Sequence, residues 1–140
     1  MVRRRGESDE GAAAVEFALV SVLLFTILFG ILQYGYYFYQ LSSANAASRE
    51  AARLAATGVS DCANFRAAVI NRTSGITLTA ANIKTSITTG TPQDGDVVNV
   101  TITFSPTKFG FPFVPFISST TQSQVGKAHI ESPGSVIACP

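Results

Sequence analysis

Charge is scarce in this chain. Asp, Glu, Lys and Arg make up 14% of its 140 residues, and the net charge is +1. No basic field exists that could hold nucleic acid through its phosphates, so a nucleic-acid partner is excluded. Histidine occurs once, at His129, and cysteine twice, at Cys62 and Cys139. Neither cysteine has a second cysteine or a histidine at metal-ligand spacing, so no metal and no cofactor is expected. Nucleophile–base pairs, phosphate loops and metal sets are all missing from the sequence. No catalytic residue is therefore assigned, and neither enzymatic activity nor a small-molecule substrate is expected. On an expected strand, His129 reads as structural or exposed. Asp94 and Asp96, which flank Gly95, read as turn chemistry.

The missing charge is concentrated in one place. Every residue from Phe17 to Ser48 is uncharged, and a single carboxylate, Glu16, stands immediately before them. As a helix, Phe17–Tyr39 would span roughly 35 Å at about 1.5 Å per residue, enough for a bilayer core of about 30 Å. Tyr34, Tyr36, Tyr37 and Tyr39 crowd its far end, as suits residues at a membrane–water interface. Arg3, Arg4 and Arg5 stand at the near end. The positive-inside rule therefore places the N-terminus in the cytoplasm and the C-terminal part outside it. A cleavable secretory signal ending at Ala44-Asn45-Ala46 fits poorly, because the apolar run far exceeds the roughly 7–15 residues of such signals and Glu16 stands at its start. An uncleaved signal anchor accounts for the arginines, the length and the tyrosines, but gives Gly11 and Glu16 no role.

Beyond the membrane segment, Leu41 to Ala56 lacks proline and glycine and is rich in alanine, so one helix is expected to continue as far as a stop near Gly58. Ala44, Ala47, Ala51 and Ala55 recur at three- and four-residue spacing, a small face that lets another element approach closely. Its occupant is a neighbouring helix, the chain's own soluble part, or both at different depths in an assembled bundle. Arg49, Glu50 and Arg53 mark the side turned to water.

The remainder is expected to form a small exported domain. A second helix is read at Asp61–Arg72, capped by Ser60 or Asp61, with Phe65, Ala68, Val69 and Arg72 on one face. Alternation over Asn82–Thr89 and from Val98 to Phe104, around the turn-rich Gly90–Asp96, gives an antiparallel hairpin at about residues 83–105. Gln124–Glu131 supplies a third strand. Pro106–Pro115 carries Phe109, Phe111 and Phe113, with Phe116 just beyond it. Its prolines deny it a central strand. Three places are open to it: the membrane surface, a docking loop, or a fold back onto the sheet. Cys62 and Cys139, if exported, can pair and tie the start of the domain to its end, the alternative being two unpaired thiols. The fold class is thus α+β: a long N-terminal membrane helix, then a short helix and a three-stranded antiparallel sheet. The boundaries read as 1–11 leader, 12–58 long helix with 17–39 in the membrane, and 59–140 exported domain.

The residues Arg3-Arg-Arg-Gly-Glu-Ser-Asp-Glu-Gly-Ala-Ala-Ala-Val-Glu-Phe-Ala-Leu19 place Gly11 five positions before Glu16 at the head of the apolar run. They resemble the start of TadE-like pseudopilins, minor pilin-like proteins of the tight-adherence (Flp) pilus machinery. Ala44–Arg53 is similar to the family's alanine- and arginine-rich stretch after the membrane helix, and Val97–Pro106 to its later strand. The resemblance implies cleavage between Gly11 and Ala12 by a membrane prepilin peptidase. It also implies a minor role in pilus assembly at the bacterial inner membrane, with other pilins, the platform proteins and the peptidase as partners. Ala12 stands where typical type IV pilins carry a bulky residue, and Phe17 where the short major Flp pilins usually have tyrosine. Once cut, Ala12 would offer a free amine to Glu16 of the same or a neighbouring subunit, so Glu16 and Phe17 are the assembly candidates. The plain alternative for Glu16 is a snorkelling carboxylate without a partner. The alternative for the chain is an uncleaved anchor whose exported domain binds an envelope or secretion-system partner.

Overall fold

A computed structural model of the chain describes residues 6–58, 61–87, 93, 95–110, 120–131 and 138–140. Arg3–Arg5, Ser60, Asp94, Phe111, Phe113 and Phe116 lie outside the described residues, as does most of the expected turn before β2. Helix α1 runs over Gly6–Ala56 and α2 over Cys62–Arg72, and a single 3-10 turn at Ala80–Asn82 leads into the sheet. The strands are β1 (Ile83–Ile87), β2 (Val97–Phe104) and β3 (Gln122–His129), antiparallel throughout in the order β1-β2-β3. The α+β architecture expected from the sequence is the one observed. The chain divides into two compact units, one falling within 1–35 and 108–117, the other within 36–107 and 118–140.

Helix α1 starts upstream of the expected Ala12 because no proline interrupts Gly6–Ala12. It stops at Ala56, where the Thr57 N–H reaches Arg53 O, the Gly58 N–H reaches Ala55 O, and Gly58 takes a positive φ of 122°. Glycine adopts that conformation without a Cβ penalty, which is why helices so often end beside one.

In the second unit, the sheet's inner face carries Ile83, Val98, Val100, Ile102 and Phe104, all buried. The α1 face that covers it consists of Ala44, Ala47, Ser48, Ala51, Ala52, Ala55 and Ala56, also buried. The alanine stripe is therefore occupied by the chain's own sheet. Gly126 of β3, opposite Val100 in the ladder, shows how close the two layers come. A Cβ built on Gly126 would lie 1.9 Å from Ser48 O and 2.3 Å from Ser48 C. No flexible side chain could yield there, since the obstacle is helix backbone. Strand β3 lies two residues earlier than the expected Gln124–Glu131, because the chain leaves the ladder after His129. The Ile130 N–H goes to Asp96 O at 2.8 Å and the Glu131 N–H to Ala56 O at 3.2 Å, which ties the strand end to the last carbonyl of α1.

Helix α2 is capped by Asp61, whose carboxylate accepts from the Ala63 and Asn64 N–H groups at 3.2 Å each. Phe65 and Val69 are its buried residues. Ala68 is half-buried and Arg72 exposed, and Arg72 donates to Glu50 of α1 at 3.0 Å. This pair is half-exposed, and such pairs contribute roughly 0–1 kcal/mol. Arg66 of α2 donates to Ile83 O at 3.1 Å and to Pro140 O. Cys139 lies along the outer edge of β1: its carbonyl accepts the Thr85 N–H at 2.9 Å, and its own N–H donates to Thr85 Oγ1 at 2.6 Å. Cys62 and Cys139, 77 residues apart, are joined in a disulfide. One bond thus closes a loop that runs from the first residue of α2 through all three strands.

Two stability measurements follow. Gly126→Ala should lower the stability of the detergent-solubilised protein by about 1–3 kcal/mol in urea titration, the usual cost of overpacking. Unchanged stability would mean that helix and sheet are not in backbone contact. Replacing Cys62 and Cys139 together by serine should cost about 2–5 kcal/mol in the same assay, and an identical midpoint would show that the bridge adds nothing.

Candidate functional site

The sequence candidates at Gly11, Ala12, Glu16 and Phe17 all lie on α1 in the first unit, and all are exposed. Their relation is fixed by helix geometry. Ala12 and Glu16 are one turn apart on the same face, about 6 Å along the axis, whereas Gly11 is rotated away from Glu16. Among the described residues Glu16 has no hydrogen-bond or ion-pair partner. Gly11 has no steric reason to be glycine: a Cβ added there would meet nothing within 4 Å. A helix-interior glycine costs about 1 kcal/mol relative to alanine, so the fold carries this residue at a disadvantage.

Past Glu16 the helix presents apolar side chains to its surroundings on every side. Phe17 is 74% exposed, and Leu19, Leu23, Phe25, Ile27 and Ile31 are likewise uncovered. Its Ser21 and Thr26 hydroxyls are satisfied within the helix. Ser21 donates to Ala18 O at 2.9 Å, and Thr26 to Val22 O at 2.7 Å. Internal satisfaction is what a lipid environment demands of a helix. This one helix near the N-terminus is long and apolar enough to cross a membrane.

The tyrosines do not share one environment. In the first unit Tyr34 is exposed; in the second, Tyr36 and Tyr37 are half-buried and Tyr39 is exposed. Tyr39 also packs against the turn at Gly75. With φ at +83°, Gly75 sits so close that an added Cβ would fall 2.7 Å from Tyr39 Cε1 and 2.8 Å from Ser43 Oγ. His129, the one histidine, is exposed, with Nδ1 3.0 Å from Gly95 O. It stands beside no second titratable group arranged for metal binding among the described residues.

Two residues that sequence reasoning passed over prove central. In the first unit Gln33 is only 4% exposed, and its Oε1 accepts the Phe109 N–H at 3.0 Å. In the second unit Gln40 is also buried; its Oε1 accepts the Thr107 N–H and its Nε2 donates to Thr107 Oγ1, both at 3.1 Å. The available signal was their spacing. They are the amides within an otherwise apolar stretch and stand two helical turns apart, hence on one face.

The family model described as TadE-like protein matches residues 11–53. The matched segment opens at Gly11 and closes at Arg53, so it contains the Gly11–Glu16 arrangement, the apolar run and the alanine-rich half of α1. It covers less than half of the chain and none of the sheet. No curated protein and no solved structure matches the chain.

Because Gly11 is sterically unconstrained, Gly11→Ala should leave the fold intact and raise thermal stability slightly, by no more than about 1 kcal/mol. Circular dichroism melting of the detergent-solubilised protein checks this, and a clear loss of stability would assign Gly11 a structural role. Over residues 11–53 the chain is similar to TadE-like proteins, and among the described residues one helix is long and apolar enough to cross a membrane.

Proposed function

We propose that the chain is a minor pseudopilin: a non-enzymatic, single-pass protein of the bacterial inner membrane that takes part in assembling or initiating a tight-adherence pilus. The observation that carries this reading is the TadE-like match, which begins at Gly11 and runs through Glu16 and the whole apolar segment. Two features of α1 support it. Gly11 is a glycine that the helix does not need, and Glu16 is a carboxylate at the head of a lipid-compatible surface with no partner among the described residues.

The mechanism has three steps. The chain waits in the membrane with the N-terminus cytoplasmic and residues 59–140 exported. A prepilin peptidase then cuts between Gly11 and Ala12. The freed Ala12 amine lies on the same helix face as Glu16 and can satisfy it within the chain, or the amine of a neighbouring pilin can do so between chains. A carboxylate near hydrocarbon costs up to about 3 kcal/mol at mid-bilayer and less at the interface. Relief of that cost would favour the one axial register in which amine and carboxylate meet. Phe17 lies beside Glu16 on the exposed apolar surface and would pack in that contact. The tyrosines Tyr34, Tyr36, Tyr37 and Tyr39 would mark the outer membrane interface. Other pilins and the platform proteins would be the partners.

One observation favours a second reading. Helix α1 passes unbroken through Gly11 and Ala12, and proteolysis needs a segment that can be drawn out of its helix. An uncleaved anchor, its exported domain bound to an envelope or secretion-system component, would keep that helix intact.

Intact mass and terminal peptide mapping of the protein from native membranes separates the two. The expected result is a start at Ala12, lost in Gly11→Ala, with Glu16→Gln still cleaved but no longer recovered with other pilins. A start at Met1 that Gly11→Ala does not change would discard the cleavage step and leave the anchor.

A further inference from the structure

A glutamine inside a bilayer-spanning helix must have its amide satisfied by protein. Gln33 meets that need at its oxygen through a residue distant in sequence, since Oε1 accepts the Phe109 N–H at 3.0 Å and the residue is buried. The backbone at Phe109 is therefore fixed beside α1 at the level of Gln33. That level can be stated. Counting from Phe17 at about 1.5 Å per residue, Gln33 lies roughly 24 Å along the helix, near the far edge of a core of about 30 Å, and Tyr34 follows it directly. The Phe109 side chain is 43% exposed there, and Lys108 and Gly110 on either side of it are exposed.

We infer that Lys108–Gly110 is a second membrane contact of this chain, with the Phe109 ring in the outer interfacial layer of the bilayer and the Lys108 ammonium on the phosphate of an anionic lipid headgroup. Three observations select lipid as the occupant. The exposed phenylalanine belongs to the same compact unit as the uncovered apolar surface of α1. An aromatic ring is favoured at the level where the tyrosines begin. A lysine beside it supplies the charge complementary to anionic headgroups, and its long stem lets the ammonium reach the wet side. Gln33 is then a tether that holds the loop against the helix. The consequence is a first unit that meets the bilayer at two places, the apolar run of α1 and Lys108–Gly110.

The inference rests on reading residues 17–39 as membrane-spanning, and the experiment keeps the two apart. The sequence contains no tryptophan, so each tryptophan variant of the full chain reports from a single site. Phe109→Trp, Leu24→Trp and Val125→Trp are reconstituted separately into vesicles of phosphatidylcholine and phosphatidylglycerol containing lipids brominated at shallow or deep acyl positions. Leu24 lies mid-helix, and Val125 is 49% exposed on the sheet of the second unit. The expected result is strong quenching of Leu24→Trp by deep bromines and little quenching of Val125→Trp. Phe109→Trp should be quenched several-fold more than Val125→Trp, by shallow bromines, with blue-shifted emission. Adding Gln33→Leu to Phe109→Trp should return its quenching towards that of Val125→Trp, and adding Lys108→Gln should weaken it only when phosphatidylglycerol is present. Quenching of Phe109→Trp no greater than that of Val125→Trp, with Leu24→Trp still quenched, overturns the second contact and leaves the membrane helix standing. If Leu24→Trp itself escapes quenching, the spanning reading falls and the inference falls with it.

Discussion

The second unit depends on the approach of the α1 backbone to β3. Gly126 sits under Ser48 so closely that no side-chain atom could be added between them. That distance dictates the neighbouring choices. The helix face must be alanine and serine, because a larger residue at Ala44, Ala51 or Ala52 would lift the helix off the sheet. The volume so saved is filled from the sheet side by Ile83, Val98, Val100, Ile102 and Phe104. The last carbonyl of α1 is then near enough to take the Glu131 N–H, and Arg72 near enough to reach Glu50. Small residues on one element and branched or aromatic ones on the other give close packing with few voids. The disulfide and the Cys139–Thr85 bonds hold the other edge of the same sheet.

This packing bears on assembly. A small-residue face was open to two uses, contact with another helix or with the chain's own domain. With Ala44, Ala51 and Ala52 fully buried against the sheet, that face is spent. Any helix–helix contact in the proposed pilus would draw on the apolar half of α1 from Phe17 onward, where side chains are uncovered. The two halves of one helix thus follow different rules. The first is apolar all round and satisfies its own hydroxyls, while the second is amphipathic in size more than in polarity.

Much of this was legible in the sequence, for identifiable reasons. The helix, the hairpin and the third strand follow from periodicity and from punctuation by glycine and proline. The Val98–Phe104 alternation is reproduced residue for residue in the burial of β2. Strand β3 was placed two residues late, because Ile130 and Glu131 look like strand residues but spend their N–H groups on Asp96 and Ala56 instead. Gln33 and Gln40 carry no local signal of a partner beyond their spacing in an apolar run. Their partners, Phe109 and Thr107, lie more than sixty residues away in a segment without periodicity, and no local pattern carries contacts of that range. The closeness of Gly126 to Ser48 is equally non-local: a strand glycine signals a near backbone but not whose backbone it is.

Gly11 and Glu16 invert that logic. Residues required by the fold are recognised by what they touch, and these two touch little. Gly11 has open space where a side chain would be, in a helix that alanine would suit better. Glu16 places a charge at the head of a surface that otherwise suits lipid, without a counter-charge among the described residues. Neither is explained by contacts among the described residues, and the proposed function finds the explanation in something the chain meets. A glycine is the residue an enzyme can approach most closely along the backbone, and an unpaired carboxylate at a membrane edge is most stable next to an amine. The proposed cleavage at the one would create an amine one helical turn from the other. A single event would convert two locally unfavourable residues into a matched pair, which is why their spacing carries more functional information than the well-packed domain that follows them.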